Sequence, residues 1–218
     1  MDAALPSGAT SHDFFHRARA RLTLDVPAAL DDPTVEATRG DLDLDPAMWE
    51  QAGVKATRPA AVLVPVVDRS EPMVLLTLRT ELPSHPGQIA FPGGKIEPQD
   101  HTPAEAALRE AAEEIGLARA LIEPIGYLDL YLTFSGYRIL PTVARVAPDY
   151  KLVLSEREVA DAFEVPLTFL MDAQNHALHS RDWKGVTRKY YAMPFGERYI
   201  WGVTAGILRN LYERIYGG

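Results

Sequence analysis

The stretch from Thr102 to Gly116 writes both ends of one helix into the chain. Thr102 can cap the first turn, Pro103 suits the first helical position, and Glu105 completes a capping box. Gly116 stands where a left-handed residue closes a helix. At ~100° per residue, Leu108, Ala111, Ala112 and Ile115 share one apolar face. Glu110, Glu113 and Glu114 share the opposite face, with Ala106 leaving room one turn earlier. A helix so bounded must lay its apolar face on something, and the flanking sequence supplies a sheet. Ala60–Val67 and Met73–Arg79 are β-rich runs split by the turn cluster 68–72, and Gln88–Phe91 is a short strand closed by Pro92-Gly93-Gly94. Ile125–Thr133 and Tyr137–Val146 pair through Phe134-Ser135-Gly136, and Tyr190–Met193 and Tyr199–Trp201 follow as late strands. A last helix carries Val203, Ile207, Leu208, Leu211 and Ile215 as its apolar stripe. Strands on both sides of a central helix, with a terminal helix, predict an α/β fold in which helices sandwich the sheet.

Upstream, Ser11 opens a helical stretch with Phe14, Ala18 and Leu22 on one stripe. Its Arg17, Arg19 and Arg21 suit a targeting helix or basic patch, but the nearby Asp13 and the short length favour a solvated face. Residues 1–10 are small and polar, an expected disordered tail, and 25–58 are rich in Pro, Asp and Ala, as in an extension wrapped over a core. The expected organisation is an extension, 1–58, packed on a domain, 59–218. A chain of 218 residues is ample for a real core. Its charge, 22 Lys+Arg against 30 Asp+Glu or −8, argues against a protein that coats nucleic acid. Without cysteine there is no thiol nucleophile, disulfide or Cys-ligated zinc. No apolar run approaches the ~20 residues of a membrane span. The first thirty residues lack a secretory layout, and Tyr216-Gly217-Gly218 is no peroxisomal address. The cytoplasm is therefore the expected location, with no membrane partner.

The acidic helix face is poor electrostatic design for a bare helix. Like charges at i and i+4 cost ~0.2–0.5 kcal/mol, and anions near the C-terminal end oppose the macrodipole at ~0.3–1 kcal/mol each. A hard divalent cation reverses both signs, and Mg²⁺ suits carboxylates that hold it jointly with phosphates. A solvated acidic face is the competing reading. Gly93-Gly94 offer a turn able to take positive φ and approach a ligand closely. Asp100 can pair with Arg109 and hold the loop on the helix, although Arg109 is also spaced to pair with Glu105.

Together these residues, Gly94-x5-Asp100-x8-Arg109-Glu110-Ala111-Ala112-Glu113-Glu114-Ile115-Gly116-Leu117, closely resemble the Nudix box, G-x5-E-x7-R-E-U-x-E-E-x-G-U, where U is a bulky aliphatic residue. The first acid is Asp, the spacer before Arg109 is one residue longer, and Ala111 replaces a larger residue. Just upstream, Leu75-Leu76-Thr77-Leu78-Arg79-Thr80, Leu82, His85 and Gly87-Gln88-Ile89-Ala90-Phe91-Pro92-Gly93-Gly94 resemble the extended signature of the coenzyme A pyrophosphatase branch, which tends to carry the same longer loop. The resemblance continues weakly through 155–167 and 201–205. It implies a mixed sheet in an α/β/α sandwich and cleavage of coenzyme A or a derivative into 3′,5′-ADP and 4′-phosphopantetheine. It also implies Glu110, Glu113 and Glu114 as ligands of Mg²⁺ or Mn²⁺, Arg109 orienting Glu110, and Asp100 replacing the first Glu of the box. Metal ions would bridge the diphosphate oxygens and activate a water. The alternatives are a Nudix hydrolase preferring ADP-ribose, a dinucleotide or a nucleoside triphosphate, and a non-catalytic nucleotide-binding Nudix domain.

Other candidates remain open at this level. The general base is either Glu114 or a downstream acid, Glu158 or Glu156, although Ser155-Glu156-Arg157-Glu158 also reads as a capping box. His85, between Pro83 and Pro86, is a candidate phosphate contact or a loop-fixing hydrogen bonder. Arg79 is a candidate phosphate contact or a surface ion pair, and Gln88 a substrate contact or ladder-adjacent packing. Arg138, Arg188 and Lys189 could serve a 3′-phosphate, though no spacing singles them out. Tyr190, Tyr191 and Trp201 read as core or interface aromatics rather than an adenine platform. The extension and exposed aromatics leave a homodimer open.

Overall fold

The computed structural model of this chain describes residues 10–35, 37, 39–41, 43–44, 55–80, 87–183 and 186–217. His85 and residues 1–9 lie outside the described residues. Helix α1 (Ser11–Arg21) is capped by Thr10 Oγ1, which accepts from the Asp13 amide at 3.3 Å. Strand β1 (Arg39–Gly40) lies in the extension. Strand β2 (Arg58–Val67) runs parallel to β8 (Tyr137–Val146) in an unbroken register from Arg58↔Tyr137 to Val67↔Val146. Around this pair, β3 (Met73–Arg79) and β5 (Gly93–Lys95) join β2 antiparallel. Strands β4 (Ile89–Ala90) and β9 (Val159–Pro166) join β3 in the same sense. Strands β6 (Ile122–Tyr127) and β7 (Tyr131–Leu132) join β8 antiparallel, and β1 adds to β7 in parallel. The sheet is therefore mixed.

The alternation of β2 decides which helix lies on which face. Ala61, Leu63 and Val67 point to the side of helix α2 (Pro103–Ile115), where they pack with Ala107, Leu108, Ala111 and Ile115. Val64 and Val66 point to the other side, where Phe14 and Phe15 of α1 meet Ile207, Leu208 and Leu211 of α4 (Val203–Ile215). The arrangement is the helix–sheet–helix sandwich the sequence predicts. Between them lie the one-turn helix α3 (Leu167–Leu170) and a second, antiparallel sheet of β10 (Ala177–Trp183), β11 (Val186–Phe195) and β12 (Arg198–Trp201). No helix of the described residues is long and apolar enough to cross a membrane.

Some expectations are corrected. The run Ile125–Thr133 is two strands, parted at 128–130, rather than one. Strands β9 and β10 were not anticipated. Ala112 is exposed, and the buried face of α2 is completed instead by Ala104 and Ala106, so Ala106 packs into the core rather than leaving room. The extension is held by Arg138: its guanidinium donates to the carbonyls of Ala29 at 2.6 Å and Ala56 at 3.2 Å, with Asp32 and Val35 at 3.4 Å. Arg138 is 3% exposed and serves the fold, not an anion. On α1, Arg17 pairs with Asp13 at 3.0 Å and Arg19 with Glu123 at 2.8 Å, so the basic stripe is a solvated, ion-paired face.

Candidate active site

Helix α2 begins as its sequence dictates. Thr102 Oγ1 accepts from the Glu105 amide at 3.1 Å, and Glu105 reaches back to the His101 amide at 2.9 Å. It ends on Gly116 at φ 68°, ψ 18°. Between those ends the glutamates diverge in environment. Glu113 is exposed and Glu110 partly covered, but Glu114 is only 5% exposed and faces the sheet.

The loop before α2 is tied down by one residue. The Arg109 guanidinium takes both oxygens of Asp100, at 3.1 and 3.0 Å, and donates to the Lys95 carbonyl at 3.1 Å. Its remaining nitrogen reaches Glu110 at 2.9 Å and Glu113 at 3.1 Å. Glu105 is occupied at His101, so the spacing to Arg109 is not used. The Arg109 bond holds the Asp100 carboxyl below its usual range, and Asp100 in turn raises the guanidinium. Asp100 also accepts from the Glu97 amide at 2.8 Å, which closes the loop. Arg109 thus clamps loop, Glu110 and Glu113 into one assembly.

Gly93 and Gly94 matter for space rather than for positive φ. Neither takes a left-handed conformation, since both sit in β5, opposite Val62 and Ala61. A Cβ on Gly93 would meet the β2 backbone, 2.7 Å from the Val62 Cα. A Cβ on Gly94 would fall on the Glu110 carboxylate. The Gly93 amide donates to Glu114 at 3.3 Å, and Arg79 approaches the other Glu114 oxygen at 3.9 Å. Arg79 is therefore bound to a buried carboxylate and is no surface ion pair.

Burial pushes Glu114 up to about 7; Arg79 and the Gly93 amide oppose the rise, and the charges of Glu110 and Glu158 add to it. Burial likewise raises Glu110, against the pull of Arg109, with Glu113 and Glu158 contributing repulsion. The charge of Glu158 thus acts on both Glu110 and Glu114 in the same, upward direction. The segment 155–158 caps no helix: it is a turn, with the Glu158 and Val159 amides both donating to the Ser155 carbonyl at 2.9 Å, and it runs into β9. The capping-box expectation fails because β3 captures the chain as a strand: the Thr80 amide donates to the Glu158 carbonyl at 3.1 Å, and Arg79 pairs with Val159.

A cleft of about 430 Å³ opens beside this cluster. Arg79, Gln88, Gly93, Gly94 and Lys95 line it near the carboxylates, while Phe91, Ile139, Val203 and Ile207 give it an apolar wall and Thr133, Ser135 and Tyr137 another edge. Gln88 accepts from the Arg79 amide through its carbonyl at 2.9 Å and also faces the cleft, so its packing and cleft positions coexist. Lys95, Tyr137 and Val203 were not anticipated as cleft residues; nothing in a single sequence reports that β5, β8 and α4 converge. Arg188 lies over the Phe134 ring at 4.2 Å, and Lys189 is exposed on β11. Tyr190 and Trp201 meet edge-on at 5.3 Å on the small sheet, and Tyr191 packs against the core.

The donor chemistry of the cluster fits a hard cation, because Glu110 and Glu114 are covered carboxylates that repel one another. Among the described residues no three acidic, imidazole or thiol side chains stand close enough together to hold a metal ion by themselves. Mg²⁺ does not need such a set, since it is held by one or two carboxylates together with phosphate oxygens and water.

A family model described as NUDIX domain matches residues 57–184. An uncharacterized Nudix hydrolase NudL of Yersinia enterocolitica is 38% identical over 157 residues, 72% of this chain and 80% of its own. The NudL of Yersinia pestis strain Pestoides F is 37% identical over 161 residues, 72% of this chain and 80% of its own. Among solved structures, a C. elegans Ap4A hydrolase binary complex aligns with a TM-score of 0.44 at 19% identity, over 50% of this chain and 80% of that one. A NUDIX hydrolase from Alicyclobacillus acidocaldarius also gives 0.44, at 21% identity, over 54% and 82%. With the Arg109-Glu110-x-x-Glu113-Glu114 helix set on a mixed sheet, the match across residues 57–184 makes this chain a member of the Nudix hydrolase family.

Proposed function

We propose that this chain is a divalent-metal-dependent diphosphatase that cleaves coenzyme A or its derivatives into 3′,5′-ADP and 4′-phosphopantetheine. The observation that carries the proposal is the Arg109-Glu110-x-x-Glu113-Glu114 helix with Glu114 held by Gly93 and Arg79, two residues that line a cleft together with Lys95 and the apolar Phe91, Ile139, Val203 and Ile207. A diphosphate suits the charged residues and a long organic substituent suits the apolar ones. Within the family, coenzyme A is favoured by the Leu75–Gly94 segment and its longer Asp100 loop.

Glu110, Glu113 and Glu114 are assigned as holders of Mg²⁺ or Mn²⁺, with a small-molecule diphosphate completing the shell. When bound, the cation supplies charge neutralisation at the diphosphate and a more acidic water. The remaining roles belong to side chains. Arg109 keeps Glu110 aimed past Gly94, and Arg79 offers a cation to the phosphate from the cleft floor. Gln88 is assigned a substrate contact and Gly93-Gly94 the close backbone approach; His85 keeps its proposed role as a phosphate contact. Glu158, exposed just before β9 and acting by its charge on Glu110 and Glu114, is assigned as the general base that takes the proton of the attacking water. Glu114, engaged by Gly93 and Arg79, is less free to do so.

The test is a substrate panel with Mg²⁺ or Mn²⁺, scored by product mass. Coenzyme A should be hydrolysed in preference to ADP-ribose, dinucleotides and nucleoside triphosphates, and Glu158→Gln should lower turnover by about 10²–10⁴-fold at unchanged thermal stability. Preferential hydrolysis of ADP-ribose would sink the coenzyme A reading.

A further inference from the structure

We infer that Tyr137, backed by Arg58, is the stacking platform for the nucleobase of the substrate; the inference deepens the proposed diphosphatase reading and rests on it for the orientation of the ligand. Tyr137 opens β8 directly opposite Arg58, which opens β2, and the Arg58 guanidinium lies over the phenol ring at 4.0 Å. Tyr137 lines the cleft and Arg58 does not, so Arg58 supports the ring from outside. Arg58 is itself anchored on the Ser135 carbonyl. The backbone at Tyr137 is equally fixed. Its amide donates to Thr133 Oγ1 at 3.0 Å, and its carbonyl accepts from the Thr133 amide at 3.0 Å.

An aromatic ring on a fixed backbone, polarised by a cation against it and lining a cleft, is suited to stack on a planar, electron-rich ring. Ser135, exposed on the same edge of the cleft, offers a hydroxyl to the rim of a base, while the buried Thr133 hydroxyl, 2.8 Å away, holds it in place. Gly94 and Arg79, which line the same cleft, lie against Glu110 and Glu114. A nucleoside diphosphate laid along the cleft therefore puts its base on Tyr137 and its phosphates at α2. Neither Tyr137 nor Arg58 belongs to the proposed catalytic set, so ring recognition and hydrolysis can be separated by experiment.

The test is binding by calorimetry, using ADP as the probe with a base and ribose 5-phosphate as the probe without one. Tyr137→Leu should weaken ADP by about 5- to 100-fold, leave ribose 5-phosphate unchanged, and be restored by Tyr137→Phe. Arg58→Met, at an exposed site outside the cleft, is the second variant should Tyr137→Leu fail to fold. It should weaken ADP by about two- to fivefold with ribose 5-phosphate again unchanged. Equal losses for both probes, or ADP binding that ignores the variants, would overturn the platform. Base-selective losses in a protein that hydrolyses no diphosphate would leave the platform standing and remove the hydrolase reading instead.

Discussion

Glu114 carries opposite demands, since it is buried against the sheet yet belongs to an acidic trio. Burial raises its folded-state value from 4.5 to about 7. A carboxyl raised on folding binds its proton more tightly in the native state, so its contribution is most favourable at low pH. Stability then falls as pH rises from about 4.5 to 7, and the loss stays constant above that. A shift of this size corresponds to a penalty on the order of 3 kcal/mol at pH 8. In chelator-treated protein, urea unfolding of Glu114→Gln should therefore show a smaller drop between pH 5 and pH 8 than wild type, and Mg²⁺ should restore the wild type at pH 8. Parallel profiles for the two proteins would show that Glu114 is not the group responsible. Spacing put the glutamate trio on one helix face but left it open to a solvated reading, and it left Arg109 open between Asp100 and Glu105. The burial of Glu114 was not legible, because helical periodicity places a side chain on a face without saying how closely a neighbouring strand approaches that face.

At the scale of elements, the contact between β5 and α2 defines the site. Gly94 has no Cβ because the Glu110 carboxylate takes that space, whereas Gly93 leaves room for the β2 backbone. Gly94→Ala should accordingly keep the fold and cut hydrolysis by displacing Glu110, while Gly93→Ala should lower the unfolding midpoint. Thermal melts run beside rate measurements distinguish the two, and a fully active Gly94→Ala enzyme would contradict the packing. Elements bounded by strong local signals were readable in advance. Thr102, Pro103 and Gly116 delimit α2, and the alternation of Ala61, Leu63, Val64 and Val66 marks β2 as a strand covered on both faces. Strand β9 was hidden. Its Ala162, Asp161 and Glu164 carry little β preference, and its conformation comes from long-range pairing with β3, from Met73↔Pro166 to Arg79↔Val159.

Across the whole molecule, backbone from before β2 is tied to the strand that walls the cleft. Arg138 lies between Tyr137 and Ile139, two cleft residues, and points away from them into the carbonyls of Ala29, Asp32, Val35 and Ala56. Asp41 adds a second tie, accepting from the Phe134 amide at 2.8 Å and the Tyr131 hydroxyl at 3.1 Å. Arg138→Met should leave buried carbonyls without donors and cost roughly 1–3 kcal/mol. Limited proteolysis should then cut within residues 28–57, and an unchanged digestion pattern would show that the extension is held elsewhere. Net charge belongs to this scale too. A total of −8 argues against coating nucleic acid but says little about a single phosphate site, where local arrangement outweighs the total.

The central claim, that the acidic face of α2 is a hydrolytic centre for a diphosphate, rests on Glu113 more openly than on any neighbour, because Glu113 is exposed and its loss costs no packing. The most direct measurement compares coenzyme A hydrolysis by wild type and Glu113→Gln in Mg²⁺, with products identified by mass. Wild type should yield 3′,5′-ADP and 4′-phosphopantetheine, and Glu113→Gln, melting at the same temperature, at least about a hundredfold less. Equal rates from the two proteins would contradict the claim.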